Sequence, residues 1–261
     1  MSMIRPGGEA LTKKAIEKAT LPEAAKVLDV GCGEGDTVYL LSEQFGFEAT
    51  GVDQSSKLIN KGKLRHKDSD LHHMEAEYLD FKSRSFDAVF MECSMSVFRL
   101  QDDAAFEAYC VLKPGGKLII SDLYTKKPDP LEVANMIKDA TEKARRTKKE
   151  GACGENEKPS FVMLDGAFVA DELLGMLEET GFILEHFSDE SEALAGFVAQ
   201  AIMGNGSLEE YFKAVVPEGE DPSDFFPCAC AEFNAKKLGY FLMILKKPEE
   251  GPEKSDAGQE L

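Results

Sequence analysis

At 261 residues, 43% of them hydrophobic, the chain has enough apolar material for one large domain with a substantial core. Its net charge of −18 opposes contact with nucleic acid or an anionic membrane and leaves cationic ligands open. Six cysteines are too dilute for a disulfide scaffold, and neither a bilayer-length apolar run nor a leader-type apolar segment stands out, so the expectation is a cytoplasmic monomer or homodimer with reduced thiols.

Residues 9–19 carry Leu11, Ala15, Ile16 and Ala19 at helical spacing, closed by Pro22. KVLDVG then reads as a buried strand, 37–46 as a helix ending at Gly46, and 48–53 as a second strand. A serine cap opens a helix over 55–64. Strands are predicted at 71–76 and 85–92, a helix with acids in its first turn at 102–112, a turn at Pro114-Gly115-Gly116, and a fifth strand at 117–124. This alternation is the pattern of a parallel sheet covered on both faces, a doubly wound α/β fold.

The alternation breaks at 126–160, which holds a charged helix and a Gly/Lys/Glu-rich loop. It resumes with a helix at 170–181 and a strand at 182–187, breaks again over 189–237, and ends on a strand at 238–247. Both interruptions exceed plain loops, so they are expected to build a helical cap over one edge of a sheet of about seven strands. The domain would run over 1–247, and 248–261 would be an acidic, disordered tail.

The stretch VLDVGCGEGD, 27–36, turns a strand into a glycine-rich loop. A dinucleotide fingerprint needs a third glycine at position 36, where Asp36 stands. A pyrophosphate there would also meet Glu34 and Asp36, so an NAD-dependent oxidoreductase is the weaker reading and a cationic ligand the better one.

Asp29, the Gly31-x-Gly33-x-Gly35 loop and Asp53 at the end of the second strand resemble the first motifs of class I S-adenosylmethionine (SAM)-dependent methyltransferases. The likeness continues through MEAEYLDFKSRSFDAVFMECS, 74–94, and LKPGGKLIISD, 112–122. It implies a Rossmann-like sheet of seven strands, completed by a final antiparallel strand, with SAM as methyl donor and S-adenosylhomocysteine as product. By that resemblance Asp29 serves the cofactor's amino group. Gly31, Cys32, Gly33, Gly35 and Thr37 lie against its methionine and ribose parts. Asp53, with Gln54 beside it, takes the ribose hydroxyls, and Glu75 and Ala76 flank the adenine. Asp53 as a helix cap, and Glu77 in place of Glu75, remain open alternatives.

In-line methyl displacement needs positioning more than a base, so no catalytic signature is expected. Acceptor-pocket candidates follow strand four, at Glu92, Cys93, Ser94 and Met95, with Glu92 and Cys93 also at the cofactor, and strand five, at Asp122, Leu123 and Tyr124. Cys93 can equally be a small buried hydrophobe and Tyr124 a packed aromatic. Cys153, Cys228 and Cys230 lie in the interruptions; with Cys93 they could converge on a thiophilic acceptor such as arsenite, but no C-x-x-C pair supports a metal site. His66, His72 and His73 are expected to be solvated and His186 to be structural. The leader around Arg5-Pro6-Gly7-Gly8 is either a lid or a loose end, and the basic run 138–149 a solvated helix end or a site for an anionic partner. The acceptor expected is a small molecule, with a SAM-binding protein without turnover as the alternative outside catalysis.

Overall fold

The computed structural model describes residues 5–126, 163–164, 167–216 and 238–249. The chain opens on α1 (Gly8–Ala19), β1 (Lys26–Val30), α2 (Asp36–Phe45), β2 (Glu48–Asp53), α3 (Ser56–Arg65), β3 (Asp70–His73) and β4 (Phe86–Glu92). A single 3₁₀ turn (Met95–Val97), α4 (Gln101–Val111) and β5 (Leu112–Thr125) follow. Then come a two-strand hairpin, β6 (Met163–Leu164) and β7 (Ala167–Phe168), and α5 (Ala170–Thr180), β8 (Ile183–Asp189), α6 (Ser191–Asn205), α7 (Leu208–Val215) and β9 (Leu238–Lys246).

Lys26–Val30 is apolar on both faces apart from Asp29, which suits a central strand covered on both sides. The main sheet runs β3-β2-β1-β4-β5-β9-β8, and every pairing is parallel except those of β9, which is antiparallel to β5 and to β8. The expected antiparallel last strand is therefore present, inserted between β5 and β8. Alternate residues feed two cores. Leu28, Val89, Ile120 and Phe241 face α4 and α5, whereas Val27, Ala88, Ile119 and Leu242 face α1 and α2. Lys247, just past β9, donates to the carbonyls of Tyr109 (2.7 Å) and Leu112 (2.9 Å), placing a cation on the negative end of α4.

Three boundaries differ from the sequence expectation. The third strand stops at His73 rather than residue 76, because its partner β2 ends at Asp53, opposite His73. The Pro-Gly-Gly segment does not precede β5 but bulges within it: Leu112 pairs with Phe86, the register slips, and Lys117 pairs with Ala88. Gly115 and Gly116 bond to Lys247 across that bulge. The second interruption opens with two helices, α6 and α7, and α6 packs on β9. The helix expected near 130–147 and most of the tail lie outside the described residues. No helix among the described residues is long and apolar enough to cross a membrane.

Candidate functional site

Between β1 and β4 the strand order reverses, and a doubly wound sheet opens a crevice at the carboxyl ends of the strands there. The loop after β1 turns sharply: the N–H groups of Gly31 and Cys32 both donate to the carbonyl of Val52, at 2.8 and 2.9 Å. Gly31 takes φ +79°, and a Cβ there would sit 2.4 Å from that of Ser94, so only glycine fits. Gly33 differs, because nothing lies within 4 Å of where its Cβ would be. That open flank lets another molecule approach the backbone.

Asp53 ties the loop to the next helix. Its Oδ2 accepts the Gly33 N–H at 2.9 Å and its Oδ1 the Ser55 N–H at 2.8 Å. Ser55, not Asp53, caps α3, since its Oγ accepts the Leu58 N–H at 3.3 Å. Burial raises the Asp53 carboxyl above the usual carboxylate range, against the pull of its two backbone donors. Each oxygen keeps a lone pair for a further donor.

Asp29 is buried and has no hydrogen-bond partner among the described residues. Burial and then the charge of Glu92 push its carboxyl well above the usual range, and only Arg5 works against them. A buried carboxylate without donors is costly, so Asp29 is suited to receive a cation or an N–H group.

Glu92, at the end of β4, is committed elsewhere. Its Oε2 lies 2.8 Å from Arg5 Nη2, with the two side chains only 2% and 7% exposed. Thr12 donates to Glu92 Oε1 at 3.0 Å and Thr37 to Oε2 at 3.3 Å, while Arg5 also donates to Thr12 and to the carbonyl of Gly8 (3.1 Å). The leader is thus docked at residues 5–8, not loose there. Glu92 does not wall an acceptor pocket with a free carboxylate; it anchors the amino-terminal segment beside the crevice.

The outer acids of the loop also have partners. Glu34 pairs with Lys61 (2.5 Å) and Arg65 (3.2 Å) of α3, and Asp36 with Arg65 (3.4 Å) and His66 (2.8 Å). The inference that these acids await a cationic ligand is therefore corrected, because α3 supplies their cations. His66 is likewise not solvated: it is buried and stacked on Tyr39 at 4.6 Å. His72 and His73 are exposed, as expected.

Past β3, Glu75 is exposed and Ala76 buried. Glu77 accepts the N–H groups of Arg99 (2.8 Å) and Leu100 (3.0 Å) at the start of α4, which leaves Glu75 as the freer carboxylate. Gln54 is exposed, and its carbonyl faces His73. Burial, then Asp29 and Asp53, push the Cys32 thiol well above its ordinary value, so it is no nucleophile.

Beyond β4, Cys93 adopts φ +58°, rare for a residue with a Cβ, held by its N–H bond to Ser121 at 2.7 Å. Ser94 donates to the carbonyl of Val30 at 2.8 Å and packs against Gly31. Asp122 is not an open wall residue. It is fully buried and accepts from the N–H (2.9 Å) and hydroxyl (2.8 Å) of Ser96 and the N–H of Leu123 (2.8 Å), fixing the turn that includes Met95. Burial raises its pKa to about 6. Tyr124 packs edge-on to Phe187 and Phe241, and burial and Asp189 raise its phenol, which makes it a poor base.

A cavity of about 520 Å³ lies between the amino-terminal segment and helices α6 and α7, with Arg5, Glu9, Phe197 and Tyr211 in its wall. Arg5, which lines it, is paired at 2.8 Å with Glu92, the last residue of β4, which puts the cavity near the end of that strand. Sequence reading did not single out Thr12, Phe197, Tyr211 or Tyr240, which donates to the Ser121 carbonyl at 3.1 Å. Arg5 meets a partner 87 positions away, and α6 and α7 sit in a segment without a motif, so no local signal marked them. Cys153, Cys228 and Cys230 lie outside the described residues, and those residues contain no metal-binding group of His, Cys, Asp and Glu.

Residues 27–116 match a family model described as a methyltransferase domain. The uncharacterized methyltransferase YodH of Bacillus subtilis is 36% identical over 129 residues, 48% of this chain and 54% of that protein. Phosphoethanolamine N-methyltransferase 1 of Arabidopsis thaliana is 33% identical over 132 residues, 48% of this chain and 26% of that protein. The chain thus spans about half, or less, of the length of these curated relatives. Among solved structures, phosphoethanolamine N-methyltransferase 2 of Haemonchus contortus in complex with S-adenosyl-L-methionine aligns with a TM-score of 0.62 at 18% identity, covering 95% of this chain and 54% of that one. The [4+2]-cyclase SpnF aligns with a TM-score of 0.63 at 22% identity, covering 92% and 81%. These structural likenesses speak for the fold, which hosts more than one chemistry.

Proposed function

We propose that the chain, whose residues 27–116 match a methyltransferase-domain model, is a class I SAM-dependent methyltransferase that moves the methyl group of SAM to a small molecule entering beside the end of β4. The observation that carries this reading is Asp29, a buried carboxylate without a donor, next to a glycine loop whose Gly33 flank is open. Those features fit the cofactor, which carries an ammonium, a ribose diol and a sulfonium.

Bound SAM supplies an electrophilic methyl group on positively charged sulfur. Asp29 accepts the ammonium, and Asp53 takes the ribose hydroxyls on the lone pairs its backbone donors leave unused. Gly31, Cys32, Gly33 and Gly35 bring backbone close to the ligand, with Thr37 at the first turn of α2 behind them and Gln54 beside Asp53. Glu75 accepts from the adenine amine while Ala76 borders the ring. Glu92 acts indirectly, by docking Arg5 and with it the segment that borders both cofactor and acceptor.

Asp29, Asp53 and the glycine loop would hold SAM so that its methyl carbon is offered to the acceptor's lone pair, with the C–S electron pair going to sulfur as a neutral thioether. Any proton on the acceptor departs to water. Of the described acceptor candidates, Tyr124 has its phenol raised above its ordinary value and Asp122 is spent on Ser96 and Leu123, and at the glycine loop the Cys32 thiol is likewise raised. Catalysis by alignment is the mode this leaves.

Calorimetry with SAM, S-adenosylhomocysteine and NAD, followed by transfer of labelled methyl to a metabolite panel, tests the proposal. Binding of SAM and its product but not NAD, with at least one acceptor labelled, is expected. NAD binding without SAM binding would overturn it, and SAM binding with no labelled acceptor would favour a non-catalytic SAM-binding protein.

A further inference from the structure

The methyl acceptor itself can be narrowed, and this step rests on the methyltransferase reading above. The cavity near the end of β4 has a volume of about 520 Å³, within the range of pockets that enclose a small organic ligand. Its charges are already compensated. Arg5 is held by Glu92 at 2.8 Å, and Glu9 by Lys13 at 2.6 Å, with a further bond from Gln44 at 3.1 Å. Each charged wall residue among those described therefore already has an opposite charge beside it, so the wall offers a ligand phosphate, carboxylate or ammonium no unpaired partner.

The rest of the wall is aromatic and small. Phe197 of α6 and Tyr211 of α7 meet edge-to-face at 5.5 Å, making a corner with ring surface from both helices. Gly196 stands inside α6, where glycine weakens a helix relative to alanine, and a Cβ built on it meets nothing within 4 Å. With no side chain there, Gly196 leaves the helix surface beside the ring corner uncovered. The Tyr211 hydroxyl has no hydrogen-bond partner among the described residues, and the exposed amide of Gln200 also borders the space.

We propose that this cavity binds the methyl acceptor, and that the acceptor is an uncharged, flat, ring-bearing molecule. It stacks in the Phe197–Tyr211 corner over Gly196 and hydrogen-bonds to Tyr211. Acceptors that carry a phosphate are excluded from it.

Three probes with one ring system and different charge test this: 1-naphthol, 1-naphthyl phosphate and 1-naphthylmethylamine, titrated calorimetrically into the full chain saturated with S-adenosylhomocysteine. The neutral probe should bind at least tenfold more tightly than either charged one. Gly196→Leu, a good helix former that fills the space, should weaken naphthol at least tenfold and leave S-adenosylhomocysteine affinity within twofold. Tyr211→Phe should weaken naphthol about fivefold. Equal or tighter binding of a charged probe, or naphthol binding unchanged in Gly196→Leu, would overturn the inference while intact S-adenosylhomocysteine binding leaves the methyltransferase reading standing. Loss of S-adenosylhomocysteine binding in the unaltered chain would overturn both.

Discussion

Two sets of acids surround the glycine loop, and they have opposite fates. Glu34 and Asp36, on the outer side, are answered by Lys61, Arg65 and His66 of α3. On the inner side, Arg5 pairs with Glu92 and also acts on Asp29, Asp53 is held by backbone N–H groups, and burial raises the carboxyls of Asp29 and Asp53 above the usual range. The sequence shows Asp29, Glu34 and Asp36 together as one negative loop. The fold divides them into a structural clasp and a binding mouth, and only the mouth keeps unused acceptor capacity. Charge near a motif is thus weak information about a ligand until the partners of that charge are known.

The largest expected effect comes from breaking the inner set at its one cation. Arg5→Met leaves Glu92 buried with two threonine hydroxyls and no countercharge, a change that typically costs about 3–5 kcal/mol. Urea denaturation should read a loss of about 3 kcal/mol. Adding Glu92→Leu should recover at least half of it, because replacing a buried pair by apolar groups is often neutral. A loss below about 1 kcal/mol in Arg5→Met would mean that the segment is not docked as described.

Asp122 belongs to neither set and gives a contrast, a buried acid with a full complement of donors. Burial pushes its carboxyl up to about 6, above the 3.8 of an ordinary aspartate, so the folded chain holds the proton more tightly. Its contribution to stability is best below pH 3.8, declines between 3.8 and about 6, and above that the full cost, about 3 kcal/mol, is in force. Asp122→Asn lacks this titration and turns an amide N–H toward backbone donors, so it is less stable throughout. The difference in unfolding free energy between the two proteins should narrow by about 2 kcal/mol from pH 4 to pH 7, and a constant difference would refute the assignment.

Asp53→Ala probes the mouth directly. It removes the acceptor for the Gly33 and Ser55 N–H groups together with the lone pairs assigned to the ribose. Charge-assisted hydrogen bonds of this kind are worth about 1.5–3 kcal/mol, so S-adenosylhomocysteine affinity should fall about 30-fold or more in calorimetry. Affinity within threefold of the parent chain would remove Asp53 from the cofactor site.

How much of this was legible in the sequence follows the distance between partners. The first two strands and the glycine loop lie within about thirty residues of one another and follow from local hydrophobic pattern and turn residues, whereas the role of Asp53 came through the family resemblance. The antiparallel last strand was legible through the family resemblance. The Arg5–Glu92 pair spans 87 positions, and the shift of His66 from surface to core depends on Asp36 and Tyr39 arriving from another helix. Strand three was read too long because its length is set by where β2 stops, not by its own residues. Gly196 sits in a run of small residues without a motif, and only the fold brings it to the cavity wall.

The smallest expected effect sharpens the comparison most. Glu34→Gln removes a charge from the motif that first suggested a cationic ligand, yet Glu34 faces Lys61 and Arg65, whose side chains are 66% and 40% exposed. Ion pairs of this exposure contribute about 0–1 kcal/mol and are screened by salt. S-adenosylhomocysteine affinity should stay within threefold of the parent value, and the stability loss should stay under about 1 kcal/mol and shrink further in 0.5 M salt, where the Debye length is roughly 4 Å. A tenfold loss of affinity for the cofactor, without a matching loss of stability, would place Glu34 in the mouth with Asp29 and Asp53 and undo the division between the two sets of acids.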